Sequence, residues 1–492
     1  MKKIILSIDI LLASVNIFAQ DIYHLTLEES IEIAKEKNYS MKQLAQDTKI
    51  AEYNLKATTS RLKTNIRLNL DLPNYEKTIK DREDSTGVYF YSVEQLAYAG
   101  NLRVNQPLPT DGNIYLQTNM STIKDYYNKI RTSRLNTRIG FEQPLDIFYG
   151  YSSIRTSLKN AQLENERSNR VYKRQELQMI YNVTQSYYNL LSNQKQTEIA
   201  LLNLDRQKEA YEISKNKYEA GLIREVDALQ MEVDLAEAQN GYDMAVFNQY
   251  SSINSFKELI GINLTDSVTL NSQLIYKKVI VNPEEAVQYA LKNRSEIRER
   301  EIQIEMSKLS VKQQKTQGLP RGSINAYYEQ TGYDPTNSDI SIANSIENSY
   351  QNYKDRGPGF GIGFTVSIPI LDFGQNRALV KAAEARLKNT EYQKEMEMRE
   401  IERSVRNLAT SIGSNLQRLQ LLEKNVSVAE KSFEITLRRY SDGDIDSQSL
   451  ALERNRLNNA HTSYLSAYIQ YQLSLAQLRQ ATLYDFQNDV AL

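Results

Sequence analysis

Residues Phe360–Leu387 read FGIGFTVSIPILDFGQNRALVKAAEARL, and the fold turns on a change of period inside them. Phe360, Ile362, Phe364, Val366 and Ile368 alternate with Gly361, Gly363, Thr365 and Ser367. Strict alternation gives a strand one apolar face and one small or polar face. Beyond Pro369 and Gly374 the period becomes helical. From about Gln375 to Tyr440 there is no proline, and Gly413 is the one glycine. Val405, Leu408, Ile412, Leu419, Leu422, Val426, Ala429, Phe433 and Tyr440 keep a 3–4 spacing, interrupted at Asn415 and Thr436. A run of roughly 65 residues makes a helix of about 100 Å, several times the usual length. Its seven-residue repeat predicts left-handed coiled-coil packing. The run ends near Gly443, a residue suited to the left-handed end of a helix. A returning helix follows, with Leu450, Leu457, Tyr464, Tyr471 and Leu478 one heptad apart. The stretch therefore reads as a strand feeding a very long helical hairpin.

The same plan occurs once before. TLEESIEIAKEKN at 26–38 resembles NPEEAVQYALKNR at 282–294. Gln143-Pro144-Leu145 resembles Ile368-Pro369-Ile370, and Lys217-Tyr218-Glu219-Ala220-Gly221 resembles Arg439-Tyr440-Ser441-Asp442-Gly443. Three landmarks in one order indicate duplication. Their offsets are 256, 225 and 222, so the first copy has 31 extra residues between its first two landmarks. The extra residues fall where the sequence turns polar and irregular, around 74–133. In the first copy the proline- and glycine-free run goes from about Tyr151 to Tyr218, with Ile180, Val183, Tyr187, Leu190, Leu201, Leu204, Tyr211 and Tyr218 in register. The expected organisation is a signal peptide at 1–20, a first repeat at 21–262 (strands within 62–145, hairpin 150–262), a second repeat at 281–484 (strands within 320–371, hairpin 374–482) and a tail at 485–492. Residues 25–60 and 281–318 supply further helices.

Three more stretches alternate as Phe360–Ile368 does. Ile66, Leu68, Leu70 and Leu72 alternate with Arg67, Asn69 and Asp71; Leu135, Ile139 and Phe141 with Asn136, Arg138, Gly140 and Glu142; Ile324, Ala326 and Tyr328 with Asn325, Tyr327 and Glu329. A soluble antiparallel sheet on a core shows this pattern, and so does a membrane barrel with lipid outside and water inside. The charged second face and the lack of any separate globular core favour the barrel. Four strands cannot close one, since the smallest single-chain membrane barrels have about eight. An open edge in lipid would leave unpaired backbone groups at several kcal/mol each. The strands must therefore be pooled between chains. Leu102–Pro107 and Ile114–Met120 are weaker strand candidates, either extending the barrel or forming a surface hairpin.

Composition narrows the function. Lysine and arginine total 60 against 61 acids, which gives no reason to expect nucleic acid. Cysteine is absent, which removes disulfides, thiolate chemistry, cysteine-bound metals and an acyl-cysteine lipid anchor. The two histidines, His24 and His461, lie far apart, so a histidine metal cluster or a Ser–His–Asp site is not expected. No cofactor, metal or catalytic residue is predicted. Lys2 and Lys3, the mostly apolar run Ile4–Phe18 (broken by Asp9) and Ala19 read as a secretory signal. Nothing later offers the 18–20 apolar residues of a membrane helix. The chief alternative to a channel is an exported trimeric coiled coil with a structural or adhesive role. That would run one way, whereas this chain should fold back on itself twice.

These residues together resemble the TolC family of outer membrane efflux proteins over nearly all of the chain, from about Leu25 to Tyr484. The resemblance rests on the paired landmarks above, on QPLDIFYGYSSIRTSLKNAQL beside SIPILDFGQNRALVKAAEARL, and on KYEAGLIREVDALQMEVDLAEAQ beside RYSDGDIDSQSLALERNRL. It implies a mainly α chain with membrane β, and a homotrimer with four strands per chain in a twelve-stranded outer-membrane barrel. It further implies coiled-coil hairpins forming a periplasmic tunnel in a Gram-negative bacterium. The expected partners are a periplasmic adaptor and an inner-membrane transporter of RND or ABC type, with passive transport and no catalysis. Adaptor contact is implied at the hairpin tips: Lys217, Tyr218, Gly221 and Leu222, and Arg439, Tyr440 and Gly443. Packing at the end of the heptad stripe is the other reading of the two tyrosines. Asp227, six residues after the first tip glycine, matches a gate position of the family, with Glu225 beside it. At the second tip, Ser449 and Leu452 stand where some members carry acids. Asp442, Asp444 and Asp446 lie nearer the turn, where they form either an acidic mouth or ordinary turn residues and helix caps.

Overall fold

The computed structural model describes residues 22–270, 273–337 and 339–491. The predicted signal peptide lies outside them. Strand β1 (Ile22–Leu25) leads into α1 (Leu27–Lys37) and α2 (Tyr39–Ser60). Strands β2 (Asn65–Asp84), β3 (Gly87–Pro107), β4 (Asn113–Asp125) and β5 (Ile130–Pro144) follow. After a 3-10 turn at Leu145–Tyr149 come the helices of the first hairpin, α3 (Ser153–Glu219) and α4 (Glu225–Ile260). The second half runs β6 (Ser267–Leu270), α5 (Pro283–Asn293), α6 (Ser295–Gln317), β7 (Arg321–Asn337), α7 (Ile342–Asp355) and β8 (Gly359–Ser367). The second hairpin is α8 (Gln375–Asp442) and α9 (Ser447–Thr482), and a two-residue pair, β9 (Tyr484–Asp485) with β10 (Val490–Ala491), closes the chain. The fold is mainly helical with one large sheet. The residues divide into two compact units.

One unit comprises 1–45, 172–295 and 397–492. Its helices start where the sequence supplies caps. Thr26 and Glu29 form a reciprocal capping box on α1, and Asn282 caps α5 with Pro283 at its first position. β1 pairs in parallel with β6, joining the two halves of the chain. The heptad residues Leu450, Leu457, Tyr471 and Leu478 are buried, as are Val405, Ile412, Leu419, Phe433 and Tyr440 facing them. Tyr471 also straps down the segment before α5. Its hydroxyl donates to the Lys277 carbonyl at 2.8 Å and accepts the Val279 N–H at 3.1 Å.

The other unit comprises 46–171 and 296–396 and holds the sheet. The sheet order is β2-β3-β4-β5-β7-β8, antiparallel throughout. Here the expectation of four strands is corrected to six. The stretch 74–133, expected to be irregular, is almost all strand: β2 continues through it and β3 and β4 follow. The weaker candidates Leu102–Pro107 and Ile114–Met120 fall within β3 and β4, and two features hid the rest. A bulge between Asp71 and Asn74, at Pro73, sets one extra residue of β2 against β3, so the alternation of β2 changes phase there. Beyond it both faces are polar, as in Glu76, Lys77, Lys80 and Asp81. Periodicity cannot find a strand with no apolar face.

The β3–β4 turn is tied to the first hairpin. Asp111, in the left-handed region at φ 66°, accepts the backbone N–H groups of Ser153 (2.5 Å) and Ile154 (2.7 Å) and the Ser152 hydroxyl (2.9 Å). It thereby caps α3. Helix α8 is capped locally, by Asp372, which accepts from Gly374 and Asn376 at 2.9 and 3.0 Å. The helices are joined within this unit by an Arg298 cluster. Its guanidinium bonds Glu166 on α3 and Glu305 on its own helix, and Glu301 also takes the Lys394 ammonium of α8.

Candidate functional site

The two hairpin tips are built alike. At the first, Gly221 has φ 73°; its N–H donates to the Tyr218 carbonyl and the Leu222 N–H to the Lys217 carbonyl, both at 2.8 Å. At the second, Gly443 has φ 89°; its N–H donates to the Tyr440 carbonyl at 3.1 Å and the Asp444 N–H to the Arg439 carbonyl at 2.9 Å. This closes the last turn of a helix around a left-handed residue. A residue with a Cβ is disfavoured there.

The two tip tyrosines differ in role. Tyr440 is 3% exposed and packs with Ala210, Met231, Phe433, Leu450 and Leu457, whereas Tyr218 is 43% exposed. Lys217 brings the two tips together: its ammonium lies 4.6 Å from the Tyr440 ring centroid and donates to the Tyr440 carbonyl. Leu222, 73% exposed, is the most open apolar residue at the tips.

The acids of the tips divide in the same way. Asp227 lies in the first turn of α4 and takes a two-pronged bond from Arg224, at 2.9 and 3.0 Å. That bond holds its carboxyl below the ordinary carboxylate value. Asp446 caps α9 by accepting the Ser449 N–H at 2.9 Å. Hydrogen bonds from Ser449 lower its pKa, while the nearby charge of Asp227 acts the other way. The two tips thus bring these two acids within electrostatic reach. Glu225, Asp442 and Asp444 are exposed.

One pair was missed by the sequence reading. Asp234 of α4 and Arg454 of α9 form an ion pair at 3.2 Å, with side chains only 10% and 14% exposed. Gln230 donates to the other Asp234 oxygen at 2.8 Å. The signal was available: Asp234 stands between Met231 and Ala238 on a buried stripe, where a carboxylate needs a partner.

Two long hairpins folded back on themselves exclude a fibre that runs one way. The outer membrane efflux protein model matches residues 113–261 and 286–482. The chain belongs to that family. It is therefore an outer-membrane transport channel and not an enzyme. Among curated proteins it is similar to the alkaline protease secretion protein AprF of Pseudomonas aeruginosa, at 22% identity over 73% of this chain and 72% of that one. Among solved structures it is similar to the CmeC outer membrane channel of Campylobacter jejuni (15% identity, 93% of this chain and 85% of that one, TM-score 0.68). It is also similar to the outer membrane protein VceC of Vibrio cholerae (14%, 94% and 97%, TM-score 0.67). These likenesses carry the fold.

Proposed function

We propose that three copies of this chain assemble into a passive exit duct, with pooled strands in the outer membrane and the hairpins lining a periplasmic tunnel. A periplasmic adaptor docks on the tips and an inner-membrane transporter, of RND or ABC type, supplies the energy. The observation that carries this reading is the sheet itself: it has two unpaired edges, β2 and β8, which lipid would not tolerate. Exposed Leu222 and Tyr218 are the adaptor-facing residues, joined by Lys217, Gly221, Arg439 and Gly443. Asp227, Glu225, Asp442, Asp444 and Asp446 form an acidic ring around the tunnel mouth.

The test has two arms. Purified protein in detergent should scatter light as a trimer and conduct in planar bilayers. A monomer, or a silent bilayer, would sink the duct. A photocrosslinker at Leu222 should capture a co-expressed periplasmic adaptor, and failure to do so in a functional export system removes the docking claim. The likeness to a protease secretion protein supports polypeptide cargo as a second reading. Blocking of the conductance by an unfolded secreted substrate, but not by small efflux substrates, would support it.

A further inference from the structure

The chain carries more strands than its family resemblance implies, and at the level of Ile66 and Arg67 their side chains sort by face from strand to strand. Following the pairing from strand to strand, one row reads Ile66, Val104, Leu116, Ile139, Tyr328 and Phe360, one residue from each strand. All but Val104 are exposed in the single chain. The next row, on the opposite face, reads Arg67, Arg103, Gln117, Arg138 and Glu329. The row after that on the same polar face is Asn69, Asn101, Asn119, Asn136 and Thr331. These polar rows bond across strands. Asn101 of β3 donates to Asn119 of β4, Asn136 of β5 to Thr331 of β7 at 2.7 Å, and Arg138 of β5 to Glu329 of β7 at 2.9 Å; within β4, Gln117 donates to Asn119 at 3.1 Å.

We infer that β3 and β4 are staves of the membrane wall, so that each copy contributes six strands and three copies close an eighteen-stranded barrel. The inference rests on the trimeric duct proposed above and sets its bore. Four observations carry it. The apolar row is continuous through β3 and β4, and the charged row lies wholly on the other face, where alone an arginine is tolerated. β3 and β4 sit in the middle of the sheet, between β2 and β5, so neither can leave to form a surface hairpin without detaching β2. Their lower turn reaches the rim where α3 begins, as the Asp111 cap requires. Their lengths, 21 and 13 residues, also exceed the 9–11 needed to cross. At strand spacings of about 4.8 Å and tilts of about 40°, eighteen strands enclose about 35 Å between backbones, against about 24 Å for twelve. The barrel is then not the narrow point of the duct.

A chain without cysteine makes the test direct. Single cysteines are labelled with bimane in proteoliposomes containing brominated phosphatidylcholine. Leu102→Cys and Leu116→Cys probe β3 and β4; Ile139→Cys and Ile362→Cys probe strands expected in any barrel of this family; Gln117→Cys probes the lumen. The expected result is equal lipid quenching at the first four sites, and quenching by aqueous iodide but not by lipid at Gln117→Cys. Quenching at Ile139→Cys and Ile362→Cys alone overturns the inference and leaves the duct standing. Quenching at none of the four overturns both. For the closure, Leu68→Cys is combined in turn with Phe360→Cys, Ile362→Cys and Phe364→Cys. One register should give interchain disulfides that run as a trimer, because β2 lies beside β8 of the next copy. No interchain product in any register overturns the six-strand closure.

Discussion

Asp234 and Arg454 show how much a single pair can decide. Removing one partner strands a charge where water is scarce, at about 3 kcal/mol or more; replacing both by apolar residues of similar volume is near neutral. Asp234→Ala and Arg454→Ala should each lower the thermal midpoint of the detergent-solubilised protein. Asp234→Leu combined with Arg454→Met should recover most of the loss. If the double variant melts as low as either single one, the pair is not a closed two-body interaction. The turns at Gly221 and Gly443 were legible from spacing alone, because a glycine at the end of a long heptad run marks a helix end; a contact role for the residues around them came only from the family resemblance. What spacing could not supply was the division of labour. Tyr218 and Tyr440 occupy equivalent positions, yet one is exposed and the other buried, and only the packing around Lys217 separates them.

Among elements, the long helices announced themselves and the inserted strands did not. A run of some 65 residues without proline, almost without glycine and with a largely kept heptad has one good solution. Strands β3 and β4 showed only in part, at Leu102–Pro107 and Ile114–Met120, because a bulge changed the phase of their neighbour and polar residues filled both faces above it. The cap on α3 was equally hidden. Its acceptor, Asp111, lies 42 residues before Ser153, and no local motif spans that gap. Asp111→Gly keeps the left-handed backbone while deleting the carboxylate, so it isolates the cap. The loss of a cap of this kind is about 1 kcal/mol, roughly fivefold in local opening. Amide exchange at Ser153 and Ile154 should speed up by that factor while the first turn of α8, capped by Asp372, stays unchanged. Unaltered exchange in α3 would mean that the rim, rather than the cap, holds that helix end.

In the whole molecule, the proposed function gives the tips and the sheet separable jobs. Gly221→Pro and Gly443→Pro together cannot keep φ above zero at either turn. The double variant should abolish export yet still assemble, since the strand edges proposed to join copies are untouched. Normal export by it would move the coupling away from the tips. The two long hairpins were readable in advance. The number of strands was not, because that depends on pairing partners distant in sequence.

The six strands begin and end on one rim, since every strand that leaves the helices is matched by one that returns. A further hairpin inserted into either repeat therefore displaces neither terminus nor the register of the helices below. Growth by pairs is topologically silent. Such an architecture can change calibre during evolution without relearning how to meet its pump, and a designer could lengthen or excise one hairpin to the same end.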